Sequence, residues 1–280
     1  LDPQTTTRLT KLGNGTAHAS LLALFATALH GFSDGQCDFA IGTTFHNRTR
    51  SQRQLMANLS NTVPFAAALA PGASFRRYVG TVRRKLLRLA RHRAVPTAHI
   101  VAMAEDCDRR RAPVFQTLFV HHDAEIVRRI ADESPLDIPG MSSRPRFVDL
   151  RIQSGQFELA LEAMNIGGRF LCTLKFNTDL FSRATIASLA DALQRIARRS
   201  VEDPDATVAD LAEHARRHDD PTIDHLGYAV SDIQTAVDHL LGSRGGVVAG
   251  QERSGMTGGQ LAGKHQLAYR LRQIQQTHRV

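Results

Sequence analysis

Apolar residues follow a helical spacing in several parts of the chain. Residues 16–31 are almost entirely apolar, which predicts a mostly buried helix that ends at Gly31. In residues 74–92 and 182–200, apolar positions recur every three or four residues after an initial serine. Both segments are therefore predicted to form amphipathic, serine-capped helices, and residues 96–104 are predicted to form a shorter one.

Shorter apolar segments have the composition of β-strands, with many β-branched and aromatic residues between turn-forming glycines. The second segment contains Pro64, which weakens a strand because proline donates no backbone hydrogen bond. Gly155 and the pair Gly167-Gly168 separate the last three segments, which indicates an antiparallel meander. The predicted strands cover residues 37–45, 61–69, 113–121, 146–152, 157–164 and 169–177.

The pattern changes near residue 217. Residues 202–211 are acidic and are interpreted as a linker. Beyond residue 217, an apolar segment, a serine-capped helical segment and a glycine turn predict a β-α-β unit. The expected domains are a main domain at 1–212, a linker at 213–221, the β-α-β unit at 222–250 and a poorly ordered tail at 251–280.

Positive charge is concentrated on one of the predicted helices. The chain has a net charge of +8, and seven of its arginines and lysines lie in residues 74–92. This charge favours acidic partners such as nucleic acid, an anionic membrane or an acidic protein, while a plain solvated helix face is the simpler alternative. With no tryptophan and only 6% aromatic residues, the chain offers little surface for base stacking, so we expect no nucleic-acid partner.

The cysteines and the apolar stretches indicate the cellular compartment of the protein. Cys37, Cys107 and Cys172 are far apart and form no CxxC pair, which argues against a disulfide framework or a zinc module and is typical of a reducing cytosol. No apolar stretch reaches the ~20 residues that a membrane-spanning helix needs. We therefore expect a cytoplasmic location and no membrane partner.

Five segments, in chain order, carry motifs of one known family. They are a helix, Gly-x-x-Asp turn and strand at 29–48, the pair Asn61-Thr62, His92-x-x-x-Pro96, the segment with Asp108, Arg111 and Pro113, and "KFNTDLFSRATIASLADALQRI" at 175–196. In this order they resemble the C-terminal lobe of the condensation domains of nonribosomal peptide synthetases. The resemblance covers roughly residues 1–212.

The resemblance implies a fold and a reaction. Condensation domains have a two-lobed fold similar to chloramphenicol acetyltransferase, so we expect one α/β (α+β) lobe with a mixed sheet flanked by helices. The family joins substrates carried on the phosphopantetheine arms of carrier proteins: an amine on one carrier attacks the thioester on another. The family's catalytic His-His-x-x-x-Asp-Gly motif belongs to the N-terminal lobe and does not occur in this chain. The chain is therefore expected to need that lobe as a partner, to be inactive alone, and to bind no cofactor directly.

The resemblance also implies roles for individual residues. The residues expected to line the substrate cleft are Asn61, Thr62, His92, Arg111 and Asn177. For Asn177 and Asp179, turn formation is the alternative, because asparagine and aspartate side chains bond to nearby backbone groups. At the end of the predicted strand 169–177, Leu180 and Phe181 are expected to pack under the helix that follows.

Partner proteins are implied by the same resemblance. Carrier domains of the family are typically acidic, so the basic helix is expected to dock one through Arg83, Arg84 and Arg88. Other synthetase domains are expected as further partners.

Departures from the motifs leave a second interpretation open. The usual Gly-x-Phe before Asn-Thr is replaced by residues 57–59, the aromatic-Phe-Glu of the proline motif by residues 95–98, and Ser-Arg-Asn-Pro by residues 110–113. A degenerate lobe could serve as a non-catalytic module that binds carriers or other synthetase proteins.

The adjacent His121, His122 and Asp123 resemble a catalytic cluster at first sight. On a strand, His121 and His122 point to opposite faces, so they cannot readily share one proton or one metal. Val127 and Arg128 stand where the Asp and Gly of the family's motif are required. We therefore expect structural roles, with one of the two histidines facing the cleft between the lobes.

The β-α-β unit has a resemblance of its own. Residues 223–246 resemble the start of a vicinal-oxygen-chelate domain of the glyoxalase and epimerase type, in which an early strand histidine binds a divalent metal. Here that residue is His225. A metal site needs several ligands, so His225 binds metal only if other residues supply the missing ones. Metal-dependent epimerase or lyase activity is the third function considered.

Overall fold

The computed structural model shows a five-stranded mixed sheet flanked by helices, which confirms the predicted fold class. The residues that the structure describes are 1–52, 54–103, 111–122, 157–215 and 223. All of them belong to one compact unit. The predicted strand at 146–152, the tail at 251–280 and, apart from Ile223, the predicted β-α-β unit at 222–250 lie outside the described residues.

The elements alternate between helices and strands along the chain. The helices are α1 (Pro3–Leu12), α2 (Ala17–Phe32), α3 (Phe75–Arg91), α4 (Thr97–Met103), α5 (Arg183–Glu202) and α6 (Val208–Ala215). The strands are β1 (Ala40–Phe45), β2 (Asn61–Ala66), β3 (Thr117–His121), β4 (Leu159–Ile166) and β5 (Arg169–Phe176).

The sheet has the order β2-β1-β3-β4-β5. The central strands β1, β3 and β4 are parallel, and the edge strands β2 and β5 are antiparallel to their neighbours. Because parallel strands end at the same edge of a sheet, the last residues of β1 and β3, Phe45 and His121, lie at one end. Strand β2 begins at that end, where Asn61 is paired with Phe45. We call this the Asn61 end of the sheet.

A continuous core fills the space between one face of the sheet and helices α1, α2, α3, α5 and α6. Helix α2 is buried along nearly its whole length, as its apolar sequence predicts. Alternate strand residues such as Ile41, Phe119 and Leu161 point into this core. A smaller cluster forms on the other face from Ala40, Ile100, Val114 and Phe115.

Helix α1 is an element that the apolar pattern does not predict, because most of its residues are polar. Its sequence signal is the pair Asp2-Pro3. The Asp2 side chain accepts a hydrogen bond from the Thr5 backbone N–H at 2.8 Å, and Pro3 takes the first helical position, where no N–H is needed.

The prediction that Gly31 ends helix α2 is wrong, because the helix continues to Phe32 and Ser33 is its C-cap. Gly31 instead allows helix α6 to approach closely. A Cβ atom added at Gly31 would lie 3.0 Å from the Ala212 carbonyl oxygen and 3.3 Å from the Ala212 Cβ. The predicted turn at Ser33-Asp34-Gly35 does follow the helix, with positive φ angles at its last two residues.

Strand β2 tolerates Pro64 because it is an edge strand of the sheet. Pro64 is paired with Gly42 of β1. Gly42 is required for another reason: a Cβ at this position would lie only 2.2 Å from the Phe115 ring, which covers this part of the sheet.

Strands β4 and β5 form the predicted hairpin. Gly167 and Gly168 connect them with φ angles of 57° and 77°, in the left-handed region that a two-residue hairpin turn requires. Two of the three strands of the predicted meander are therefore confirmed.

The serine caps are also confirmed. Ser74 accepts a hydrogen bond from the Arg77 N–H at 3.4 Å, and Ser182 accepts one from the Thr185 N–H at 3.1 Å. The interpretation of residues 202–211 as a linker is wrong, because helix α6 begins at Val208. Val208 and three other apolar residues of α6 are buried against α2 and α5, so packing outweighs the acidic composition.

Candidate functional site

The Asn61 end of the sheet brings together two motifs, starting at Asn61 and His92, that are 31 residues apart in sequence. The Asn61 side chain donates hydrogen bonds to the carbonyl oxygens of Arg93 at 2.8 Å and Val95 at 2.6 Å. Both carbonyls belong to the loop between α3 and α4, which carries the His92-x-x-x-Pro96 motif. Asn61 thus fixes this loop against the first residue of β2.

Thr97 completes the connection. Its hydroxyl lies 3.1 Å from Asn61 Oδ1 and 2.5 Å from the Thr62 carbonyl oxygen, so its hydrogen is shared between two acceptors. The Thr62 hydroxyl in turn lies 3.4 Å from that of Thr44 on the neighbouring strand. Thr97 occupies the position where the family's motif has phenylalanine, and here its hydroxyl joins the two motifs.

His92 is the C-cap of helix α3. Its backbone N–H bonds to the Leu89 carbonyl, and its own carbonyl accepts from the Val95 N–H at 3.0 Å. The imidazole is partly exposed. The structure therefore places two predicted site residues, Asn61 and Thr62, at the start of β2, and a third, His92, in the adjoining loop that Asn61 holds. We call these three residues the Asn61 cluster.

A histidine pair beside this cluster has no counterpart in the predictions. His18 of α2 donates to or accepts from the Thr43 hydroxyl at 3.1 Å, and its ring centre lies 5.8 Å from that of His121. Burial, with a smaller contribution from His121, lowers the pKa of His18 to about 4. His18 is therefore neutral near pH 7. Its position in the apolar stretch 16–31 is the sequence signal for a partly buried imidazole.

The prediction that His121 and His122 face opposite sides of the sheet is confirmed. His121 faces His18 and the Phe170 ring on the helix side. His122 Nε2 instead lies 3.7 Å from Glu162 Oε2, and Glu162 Oε1 is 2.5 Å from Lys175 Nζ. His122, followed by Lys175, lowers the pKa of the Glu162 carboxyl below its ordinary value.

The remaining predicted cleft residues, Arg111 and Asn177, lie at the opposite end of the sheet. Arg111 forms a bidentate pair with Glu158, with distances of 2.7 Å from Nε to Oε1 and 2.5 Å from Nη2 to Oε2. The Glu158 carbonyl accepts a hydrogen bond from the Asn177 N–H at 2.9 Å. We call this the Arg111 end of the sheet.

The strand exit at Asn177 forms a local turn, as the structural alternative predicts. Asn177 Oδ1 accepts a hydrogen bond from the Asp179 N–H at 2.9 Å, and the Asn177 carbonyl accepts from Leu180 and Phe181. Phe181 packs against the core, but Leu180 is 55% exposed. The expectation that both residues pack under helix α5 is therefore wrong for Leu180, because the turn directs it into solvent.

Helix α3 presents its basic residues to solvent. Arg83, Arg84 and Arg88 are exposed, while Phe75, Val79 and other apolar residues face the core. Lys85 is directed toward the sheet, where its ammonium bonds to the Ala66 carbonyl at 3.0 Å. The outward face therefore carries these three arginines.

An open apolar cavity of about 370 Å³ lies on the helix face, between β5 and α5. Its walls include Leu161, Leu171, Cys172, Ile186 and Ala190. None of the predicted cleft residues lines it, so the cavity and the Asn61 cluster are separate features.

Two further observations concern the described part of the chain. It contains no group of three or more His, Cys, Asp or Glu side chains that could hold a metal ion. None of its helices is both long and apolar enough to cross a membrane. His225 and Asp108 lie outside the described residues.

Comparison with protein families identifies the class of this fold. The condensation-domain family matches residues 2–218, so the chain belongs to the condensation-domain family. The glyoxalase-like resemblance of residues 222–250 is not supported by these comparisons.

Peptide synthetases are among the proteins whose sequences are similar to this chain. The nonribosomal peptide synthetase kk1B of Curvularia clavata is 31% identical over 199 residues, covering 70% of this chain and 1% of the relative. Phosphinothricin tripeptide synthetase PhsC of Streptomyces viridochromogenes is 28% identical over 200 residues, covering 70% of this chain and 17% of the relative. The chain thus spans only a small part of the relatives it matches.

Solved structures share the fold. A four-domain nonribosomal peptide synthetase bound to AMP and glycine superposes with a TM-score of 0.66 at 21% identity, covering 75% of this chain and 17% of that one. The first condensation domain of the CDA synthetase superposes with a TM-score of 0.56 at 19% identity, covering 75% of this chain and 45% of that one. The X-domain from teicoplanin biosynthesis, in its complex with OxyB, superposes with a TM-score of 0.61 at 23% identity, covering 75% of this chain and 46% of that one.

Proposed function

We propose that this chain is the C-terminal lobe of a nonribosomal peptide synthetase condensation domain and contributes to amide formation between two carrier-tethered substrates. The match of the family to residues 2–218 carries the proposal. In this reaction the amine of one substrate attacks the thioester carbonyl of the other. The C–N bond forms, the C–S bond breaks, and the phosphopantetheine thiolate takes up the proton that the amine releases.

A second lobe that carries His-His-x-x-x-Asp-Gly is the proposed partner in this reaction, since the motif does not occur in this chain. The test joins such a lobe to the 280-residue chain and supplies two carriers loaded with an acyl and an aminoacyl group. We expect an amide product that requires both lobes and disappears when the second histidine of the motif is replaced by alanine. Correctly folded joined lobes that yield no amide with any of several loaded carriers would contradict the proposal.

The predicted cleft residues are proposed to act in two groups. The first group, at one end of the sheet, is Asn61, Thr62 and His92. The second group, at the other end, is Arg111 and Asn177. From the strand lengths and the spacing between strands, the two groups are roughly 20 Å or more apart. One small substrate group cannot touch both ends. We propose that the first group borders one tethered substrate and that the second lies toward the other.

The partly exposed imidazole of His92 makes this division testable. His92→Ala should raise the KM for one loaded carrier only, because the rest of the cluster is held by Asn61 and Thr97. The substitution His99→Ala on the exposed side of α4 is the matched control. Equal effects of the two substitutions, or equal effects on both carriers, would contradict the division.

Carrier docking is proposed for Arg83, Arg84 and Arg88 on the outward face of helix α3. Their charge complements an acidic carrier surface and attracts it over a Debye length of about 10 Å at 0.1 M salt. Replacing all three by glutamate should weaken carrier binding at low salt by more than tenfold. Unchanged affinity would contradict this role.

A non-catalytic interaction module is the second candidate. One observation favours it: an X-domain of the same fold forms a complex with OxyB, so this fold also serves protein recognition. The motif departures at residues 57–59 and 110–113 agree with such a role. A joined two-lobe protein that binds carriers tightly but forms no amide would favour this candidate.

The metal-dependent activity expected for His225 stays a prediction. We propose that a divalent ion binds there only if further ligands come from outside residues 222–250. Metal analysis of the purified chain after dialysis against zinc is the test. Less than stoichiometric metal would dispose of this function for the 280-residue chain.

A further inference from the structure

Leu87 stands out on the outward face of helix α3. Its side chain is 56% exposed, although the helix buries Val79, Val82 and Leu86 on its other face. Residues three and four positions apart are neighbours on a helix surface, so Leu87 is flanked by Arg83 and Arg84 on one side and Arg91 on the other. The leucine therefore lies in the middle of a group of arginines.

The charged residues of helix α3 are all basic. The helix contains no aspartate or glutamate, and an ion pair joins Arg76, at its start, to Asp205. The Arg84 guanidinium is turned back along the helix to the Thr81 hydroxyl at 2.9 Å. This orientation directs the guanidinium toward the start of the helix and leaves Leu87 uncovered on that side.

Other exposed apolar residues have different surroundings. Leu180, which is 55% exposed, follows the acidic Asp179 in the turn before α5. Leu55 and Met56 lie in a loop that Arg48 fastens through three backbone carbonyls. Isolated surface leucines are ordinary, so the feature that calls for a partner is the combination of leucine and arginines on one helical face.

We propose that Leu87 is the apolar centre of the carrier-docking surface and is covered by an apolar side chain of an acidic carrier domain. The arginines pair with carboxylates around this contact, in the arrangement of an apolar centre and a charged rim that protein interfaces commonly have. The inference rests on the proposed carrier docking. It adds Leu87 as the residue that makes this surface suited to a protein partner. A nucleic acid would use the arginines but leave Leu87 in water, so the leucine favours a protein.

The test measures binding of the 280-residue chain to a phosphopantetheinylated peptidyl carrier domain by calorimetry at low and high salt. Leu87→Ala should weaken binding roughly five- to tenfold at both salt concentrations, because the lost contact is apolar. Leu180→Ala, a change of the same size at a site of the same exposure, should leave the affinity unchanged. The triple variant of Arg83, Arg84 and Arg88 to glutamate should lose affinity mainly at low salt. Circular dichroism checks that each variant is folded.

The outcomes separate the inference from the docking proposal. If the arginine variant binds weakly but Leu87→Ala binds like the unmodified chain, Leu87 is not the centre and this inference fails alone. If the arginine variant also binds normally, or the unmodified chain does not bind the carrier, the docking proposal fails with it. Competition by a short DNA duplex that is insensitive to Leu87→Ala would assign the surface to nucleic acid and overturn the inference.

Discussion

Asn61 and Asn177 lie at opposite ends of the same sheet, and their side chains act over different ranges. Asn61 bonds to the carbonyls of Arg93 and Val95, more than 30 positions away, and so fixes a distant loop. Asn177 bonds to the backbone N–H of Asp179, two positions away, and so shapes its own turn. The same residue type therefore organises tertiary structure at one end and local structure at the other.

The two ends also differ in how they hold charge. At the Asn61 end, the partly buried imidazole of His18 is neutral near pH 7 and is bonded to the Thr43 hydroxyl. At the Arg111 end, Arg111 and Glu158 form a bidentate ion pair. We therefore expect acid to lower the free energy of unfolding through the Asn61 end. At the Arg111 end, we expect the free energy of unfolding to fall when either residue of the ion pair is removed.

The largest expected effect is the acid sensitivity that His18 gives to the Asn61 end. Between pH 6.5 and about 4 the unfolded chain protonates His18 and the folded chain does not, so the free energy of unfolding falls as the pH falls. The loss should reach up to about 3 kcal/mol near pH 4. Urea unfolding of the unmodified chain and of His18→Gln across this range measures it. The difference in unfolding free energy between the unmodified chain and His18→Gln should shrink toward low pH. The control His99→Gln, at an exposed position, should follow the unmodified chain. If the unfolding free energies of His18→Gln and the unmodified chain ran parallel across this pH range, the prediction would be contradicted.

Removal of the Asn61 amide is the next test. Asn61→Ala leaves the carbonyls of Arg93 and Val95 without these donors and Thr97 without one acceptor. We expect a loss of about 2 kcal/mol in unfolding free energy and faster amide hydrogen exchange in the α3–α4 loop. Asn61→Asp has the same shape but no donors, so it should be at least as harmful. Unchanged exchange in the loop would show that other contacts hold it.

At the Arg111 end, Arg111→Ala leaves the Glu158 carboxylate without its bidentate partner. We expect a loss of about 1–2 kcal/mol, because both side chains are largely shielded from solvent. Arg111→Lys should recover only part of it, since an ammonium cannot form two parallel bonds. Thermal unfolding at several salt concentrations provides the measurement, and full recovery by lysine would contradict the geometric argument.

The smallest effect is expected for Asn177→Ala. The substitution removes one exposed side-chain bond within a turn, and the backbone bonds from Leu180 and Phe181 remain. We expect a loss of about 0.5–1 kcal/mol. Asn177→Asp still accepts the bond and should be nearly neutral. A loss as large as that of Asn61→Ala would remove the distinction between the two ends.

The elements that the sequence predicts well are those with a strong local signal. The apolar stretch at 16–31 and the serine-capped helices are confirmed, since burial and capping are encoded in neighbouring residues. Helix α6 is missed because its acidic surroundings mask four buried apolar positions. The role of Gly31 is missed for a different reason, because the atoms that require glycine belong to Ala212, far away in sequence.

The candidate site divides in the same way. Sequence by itself determines the condensation-domain motifs, the turn at Asn177 and the opposite orientations of His121 and His122, because each depends on a few adjacent residues and on strand geometry. Only the tertiary structure joins Asn61 to the His92 loop, pairs His18 with His121 and places Arg111 and Asn177 at the other end of the sheet. The physical reason is that these relations depend on strand order and helix packing, which bring together residues with no fixed spacing in the chain.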